Sequence, residues 1–229
     1  MQGLFHKDSK LMKLMTWFAD MAHIQLLWIV FTLVGLVFGG FFPATVSMFA
    51  LIRKRIQSGD GFSFNKEFWA HYKKNLVKAN LLGYSILAMS LLLGLHYQYS
   101  LNVQGSLSFL FTLSSLGLWL IFLLVVLYIV PTYVHFDIKN VQVIKHAFIM
   151  VISTPLHAVG MAGLCYLFYL SARVVPVLVP FVSVGVLAYG IMRLANHAFK
   201  SVDDVAEKEG QRKNKKETSY SELSTENKS

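Results

Sequence analysis

From Ile24 to Ile52 the chain reads IQLLWIVFTLVGLVFGGFFPATVSMFALI, 29 residues without a charged side chain. About 20 apolar residues suffice to cross the hydrocarbon of a bilayer, so this run can span with a surplus. The surplus contains its own punctuation. Gly35, Gly39 and Gly40 precede Pro43, and Arg53, Lys54 and Arg55 follow Ile52 directly. Proline lacks an amide hydrogen and disfavours helix at the residue before it, so the run either folds into a hairpin near Gly40 to Pro43 or kinks there. A single helix over the run would be ~43 Å long against a core of ~30 Å. It would also leave Lys7, Lys10 and Lys13 on the opposite side from Arg53, Lys54 and Arg55, against the rule that basic residues stay cytoplasmic. The hairpin keeps them together. Gly35 and Gly39 form a G-x-x-x-G pair, which serves either internal packing or close approach of another helix.

The rest of the chain has the same character. At 55% hydrophobic and 14% charged it is too apolar for a domain with a water-facing surface. Further apolar segments run over Leu76 to Leu95, Ser106 to Val130, Phe148 to Tyr169 and Val174 to Met192, with Pro131 marking the end of one and Pro155 inside another. The fold class is therefore an all-α polytopic transmembrane helix bundle of five hydrophobic segments, the first broken at Pro43. Residues 1–23 read as an N-terminal interfacial helix, because Leu11, Leu14, Met15, Phe18 and Met21 recur at helical spacing. No small-residue cleavage site follows them, and the N-terminus is expected to be retained. Residues 24–200 form the transmembrane domain. Residues 201–229 mix Lys, Glu, Ser and Asn with few apolar side chains and read as a disordered tail.

The charge is divided unevenly. Residues 1–200 hold 15 Lys and Arg against 5 Asp and Glu, whereas the tail holds 6 against 7. A basic excess beside membrane segments sets topology, so the expectation is a multi-pass protein of the cell membrane with a cytoplasmic C-terminus. The same charges are not gathered on one soluble face, which speaks against nucleic-acid binding. The stretch Ser58 to Asn75 reads as a short polar connection, with an outer loop at His96 to Gly105 and an outer turn at Ser171 to Arg173. Around the connection, Arg53, Lys54, Arg55, Phe68, Trp69, Tyr72, Lys73 and Lys74 interleave cations with aromatics. That pattern contacts either anionic lipid or a partner protein.

Candidate chemistry is sparse. His135 and Asp137 stand two apart, too few for a metal site that needs three or four ligands. His157 is the imidazole set well inside a span, and reads either as a core histidine bonded to a carbonyl freed by Pro155 or as a proton relay. No Asp or Glu within a span is available to partner it. Asn80 can bridge helices through its amide. The single cysteine, Cys165, excludes an internal disulfide and a cysteine metal cluster. With no phosphate-cradling glycine loop, nucleophile elbow or zinc motif, the chain is expected to be no enzyme and to hold no cofactor or metal.

Five segments in fixed order resemble a known family: F-F-P-A-T at Phe41 to Thr45, M-F-A-L-I-R-K at Met48 to Lys54, F-W-A-H-Y-K-K at Phe68 to Lys74, K-A-N-L-L-G at Lys78 to Gly83, and P-T-Y-V-H-F-D at Pro131 to Asp137. The chain resembles the YesL group of bacterial membrane proteins, domain of unknown function 624, over about residues 1 to 200. The resemblance implies a polytopic protein encoded near carbohydrate-uptake permeases and glycan-degrading enzymes, and it supplies no catalytic residues. The function expected is a non-enzymatic accessory or interaction protein linked to carbohydrate uptake, its partners the bilayer and a permease complex. The alternative is a small-solute transporter with Pro43 and Pro155 marking helices broken around a midplane site. Substrate and oligomeric state stay open.

Overall fold

The computed structural model describes residues 10–59, 61–105, 107–136, 138–175 and 183–226, with backbone alone for Ala206, Glu209 and the residues after Arg212. Among the described residues every regular element is helical. In order these are α1 Lys10–Val34, α2 Phe41–Ser58, α3 Phe64–Asn102, α4 Ser108–Phe136, α5 Asn140–Ser153, α6 Pro155–Val174 and α7 Val184–Glu226. By length and composition α1, α3, α4 and α6 can each cross a membrane, and α5 is a shorter apolar helix.

The long uncharged run folds as an antiparallel hairpin of α1 and α2. Asp20 pairs with Arg55 and Trp28 with Thr45, which fixes the two directions. The break lies at Gly35 to Gly40, upstream of Pro43, which is itself buried in the first turn of α2 where a missing amide costs nothing. α1 ends in a Schellman motif: Leu36 N–H donates to the Leu33 carbonyl and Val37 N–H to the Thr32 carbonyl, both at 2.9 Å. Leu36 and Val37 take φ of 55° and 64°, a left-handed conformation usually left to glycine. Gly35 and Gly40 are needed for space: a Cβ on Gly35 would meet the Gly40 backbone and, at 2.6 Å, the Tyr72 hydroxyl.

α2 is the central pillar. Pro43 and Ala44, then Val46 through Ile52, are buried, on all faces, because α1, α3, α4 and α7 surround them. A helix apolar all round belongs inside. The outer helices show the reverse pattern. Leu91, Leu92, Phe109, Leu120, Leu156 and Leu167 are each more than half exposed. At ~1.5–3 kcal/mol for each large apolar side chain left in water, surfaces of this kind are stable only against lipid or another apolar partner.

Paired contacts give the remaining directions. α3 and α4 run antiparallel, with Asn75 against Tyr133 and Tyr99 against Phe111. α6 and α7 do so through Gly160 beside Leu194 and Gly190 beside Leu164. α7 opposes α1 through Gly185 N–H on Gln25 Oε1 at 3.0 Å and Tyr189 against Trp17. The start of α1, both the α2–α3 and α4–α5 connections, and the charged continuation of α7 therefore share one end of the bundle, which we term the basic end. The hairpin apex stands beside Asn80 to Tyr84 of α3, and α3 continues to Asn102, ~27 Å farther.

Several boundaries differ from the sequence reading. Residues 10–23 are no separate helix; α1 is continuous from Lys10, since nothing between Leu11 and Ile24 breaks it. The polar connection Ser58 to Asn75 is helical from Phe64, because its aromatics pack inward as the first turns of α3. His96 to Asn102 extends the same helix. Pro131 lies inside α4, whose last turns are held by the buried Thr132 and Tyr133. Ser171 to Arg173 are helical, ending α6, and most of the segment that follows lies outside the described residues up to Ser183. The tail read as disordered continues α7 to Glu226. Its Ala, Glu, Lys, Gln and Arg are strong helix formers, and Gln211 donates to Glu207 one turn back, so local preferences support a helix here.

Candidate functional site at the basic end

The basic triplet is the first surprise, since its three side chains hold three different helices. Arg53 Nη1 donates to the Val134 carbonyl of α4 at 3.1 Å, and Lys54 Nζ pairs with Glu67 of α3 at 2.7 Å. Arg55 reaches Asp20 Oδ2 of α1 through both Nε and Nη2 at 2.8 Å. Successive residues on a helix point about 100° apart, which is why three neighbours can address three neighbouring helices. The expected lipid or partner contacts are thus largely internal clamps.

The aromatic face divides in the same way. Phe68 and Tyr72 are core residues around Phe31: Phe68 stacks on that ring at 4.9 Å, and the Tyr72 hydroxyl donates to the Phe31 carbonyl at 3.2 Å. Trp69 is 43% exposed, lies parallel to Tyr72, and carries the Lys73 ammonium 4.4 Å above its ring. Trp69, Lys73 and Lys74 are what remains facing outward. Phe31 has no polar signal, and its role as hub could be read only from its apolar spacing in α1.

At the hairpin apex the residues singled out for packing come together. Asn80 Nδ2 donates to the Gly39 carbonyl at 2.8 Å, and the Tyr84 hydroxyl to the Phe38 carbonyl at 3.0 Å. Carbonyls at a turn inside an apolar zone have no water to bond, so α3 supplies the donors. Gly39 lies close to the Gly35 carbonyl within the turn, and both glycines serve this hairpin. Pro155 opens α6 after a break at Thr154, whose buried hydroxyl lies 2.9 Å from the Tyr128 hydroxyl. His157 is half-buried and has no hydrogen-bond partner among the described residues. His135 packs on Phe199 at 4.5 Å, while Asp137 lies outside the described residues. No group of three or more metal-ligating side chains occurs among the described residues.

Between α1, α2, α4 and α7 the basic end opens into a cavity of about 1100 Å³. Lys13, Arg55, Arg193 and Lys200 line it, with His135 and His197, against one lining carboxylate among the described residues, Asp203. Its wall includes the Trp17–Tyr189 edge-to-face pair at 5.2 Å, and Arg193 Nη1 donates to the Tyr189 hydroxyl at 3.1 Å. His135 Nδ1 and Asn196 Oδ1 are buried at its edge without partners among the described residues. Of these lining residues the sequence had marked Lys13 and Arg55 for their charge and His135 as a half-formed metal pair, but nothing in it brought them together, since they come from helices far apart in the chain.

An all-helical bundle with apolar outer faces and a charged end defines a multi-pass membrane protein. The chain belongs to the family of proteins of unknown function DUF624, whose family model matches residues 21–97. It is 32% identical over 201 residues to the uncharacterized protein YesL of Bacillus subtilis, covering 85% of this chain and 91% of YesL. It is 30% identical over 189 residues to the uncharacterized protein YteU of the same organism, covering 81% and 83%. The uncharacterized protein YesV, also from Bacillus subtilis, is 29% identical over 181 residues, with 77% and 85% covered. No solved structure matches.

Proposed function

We propose that this chain is a non-enzymatic accessory protein of the cell membrane that serves carbohydrate uptake by contacting a permease complex. The observation that carries the reading is the exposed Trp69–Lys73 face on the first turns of α3, held rigid by Phe68 and Tyr72 behind it. Aromatic and cationic side chains on a preformed helix suit protein recognition. Orientation follows from charge: the basic end is cytoplasmic, with both termini on that side. Purification in mild detergent from native membranes tests the reading. A permease subunit that copurifies with the wild type and is lost from Trp69→Ala and Lys73→Ala supports it, and retention of the subunit by both variants overturns it.

A transporter in its own right is the second reading, favoured by the break at Thr154 between α5 and α6. Uptake of labelled solute by proteoliposomes holding this chain alone would establish it in place of the first.

A further inference from the structure

The cavity at the basic end has no part in the accessory reading. We infer that it binds a phosphate ester of net negative charge. Lys13, Arg193 and Lys200 are exposed toward it and ion-pair with no carboxylate among the described residues. Arg55 alone is neutralised, by Asp20. What marks a place for an anion is convergence: Lys13 from α1 and Arg193 and Lys200 from α7 meet on one concavity with no carboxylate paired to them among the described residues. Arg193 is oriented by Tyr189, which leaves the rest of its planar fork to face the cavity, and a guanidinium fork matches phosphate oxygens. Asn196 and His135 add uncommitted polar atoms at the edge, and the Trp17–Tyr189 pair offers an apolar wall for whatever the phosphate is esterified to.

The shared chemistry has two sources, an anionic phospholipid headgroup and a soluble phosphorylated solute. The cavity lies where the apolar part of α1 begins, so both can reach it.

Native mass spectrometry of the full chain in detergent distinguishes them, with dioleoylphosphatidylglycerol, dioleoylphosphatidylcholine and glycerol phosphate as probes. Saturable binding of phosphatidylglycerol that glycerol phosphate does not displace assigns the lipid source. Saturable binding of glycerol phosphate assigns the soluble one. In either case Arg193→Gln with Lys200→Gln should weaken binding about tenfold or more, while Lys139→Gln with Lys145→Gln leaves it unchanged. Asp203→Asn should tighten binding, a gain that misfolding cannot imitate. Equal binding of phosphatidylcholine, no saturable binding of any probe, or no response to the cavity substitutions overturns the inference.

Discussion

The ring of Phe42 lies against the bare α-carbon of Gly83, so the first turn of α2 packs on α3 through that ring. A Cβ on Gly83 would enter the space the ring occupies. In a helix interior Gly→Ala ordinarily gains ~1 kcal/mol, whereas overpacking costs ~1–3 kcal/mol. Gly83→Ala should therefore lower the melting temperature in detergent. In a Phe42→Ala background the same substitution should become neutral or stabilising. A loss of equal size in both backgrounds would mean that the ring is not what excludes the methyl group.

Leu36 occupies the position in the Schellman motif that glycine fills most readily, and its side chain is 84% exposed. Leu36→Gly should raise stability by about 1 kcal/mol, because it relieves left-handed strain and removes little packing. Thermal unfolding followed by circular dichroism provides the measurement. A decrease would show that the exposed leucine anchors the apex in lipid.

Asp20 and Arg55 are each about 15% exposed, between a surface pair and a buried one. Asp20→Asn should cost about 1–3 kcal/mol, by loss of the pair and stranding of the guanidinium beside the cavity. Asp20→Arg with Arg55→Asp should recover part of that loss. No recovery would indicate that the surrounding cations, and not the pair, set the stability.

With Cys165→Ala as background, Ser58→Cys at the basic end should resist an impermeant thiol reagent in intact cells and react after lysis. Gln104→Cys, in the α3–α4 connection, should label in intact cells. The reverse pattern would invert the orientation.

Class and the hairpin were legible because bilayer length, proline geometry and charge placement all act within a short window of sequence; the helix count was not, since the segment read as one from Phe148 to Tyr169 is divided at Thr154 into α5 and α6. Pro43 was read as the break, yet the chain turns earlier, since Leu36 and Val37 accept a conformation that side-chain type disfavours and nothing local announces. The helical start of α3 was hidden for a different reason. Phe68 and Tyr72 look like an exposed aromatic patch until Phe31, from another helix, is set against them. Asn80 was readable as a bridging amide, but its acceptor, Gly39, lies 41 residues away. The cavity was the least legible feature, because Lys13, His135 and Arg193 come together only after α1, α4 and α7 have packed.

The grip of Arg53, Lys54 and Arg55 on three helices also sets the register of the whole assembly. Inserting one residue before Arg53 would swing all three side chains by about 100° and shift them by about 1.5 Å along the axis. Every one of the three bonds would then be lost together. α2 is tied at this end to α1, α3 and α4, so a sliding or turning of α2 either breaks these bonds or carries the basic ends of those three helices with it.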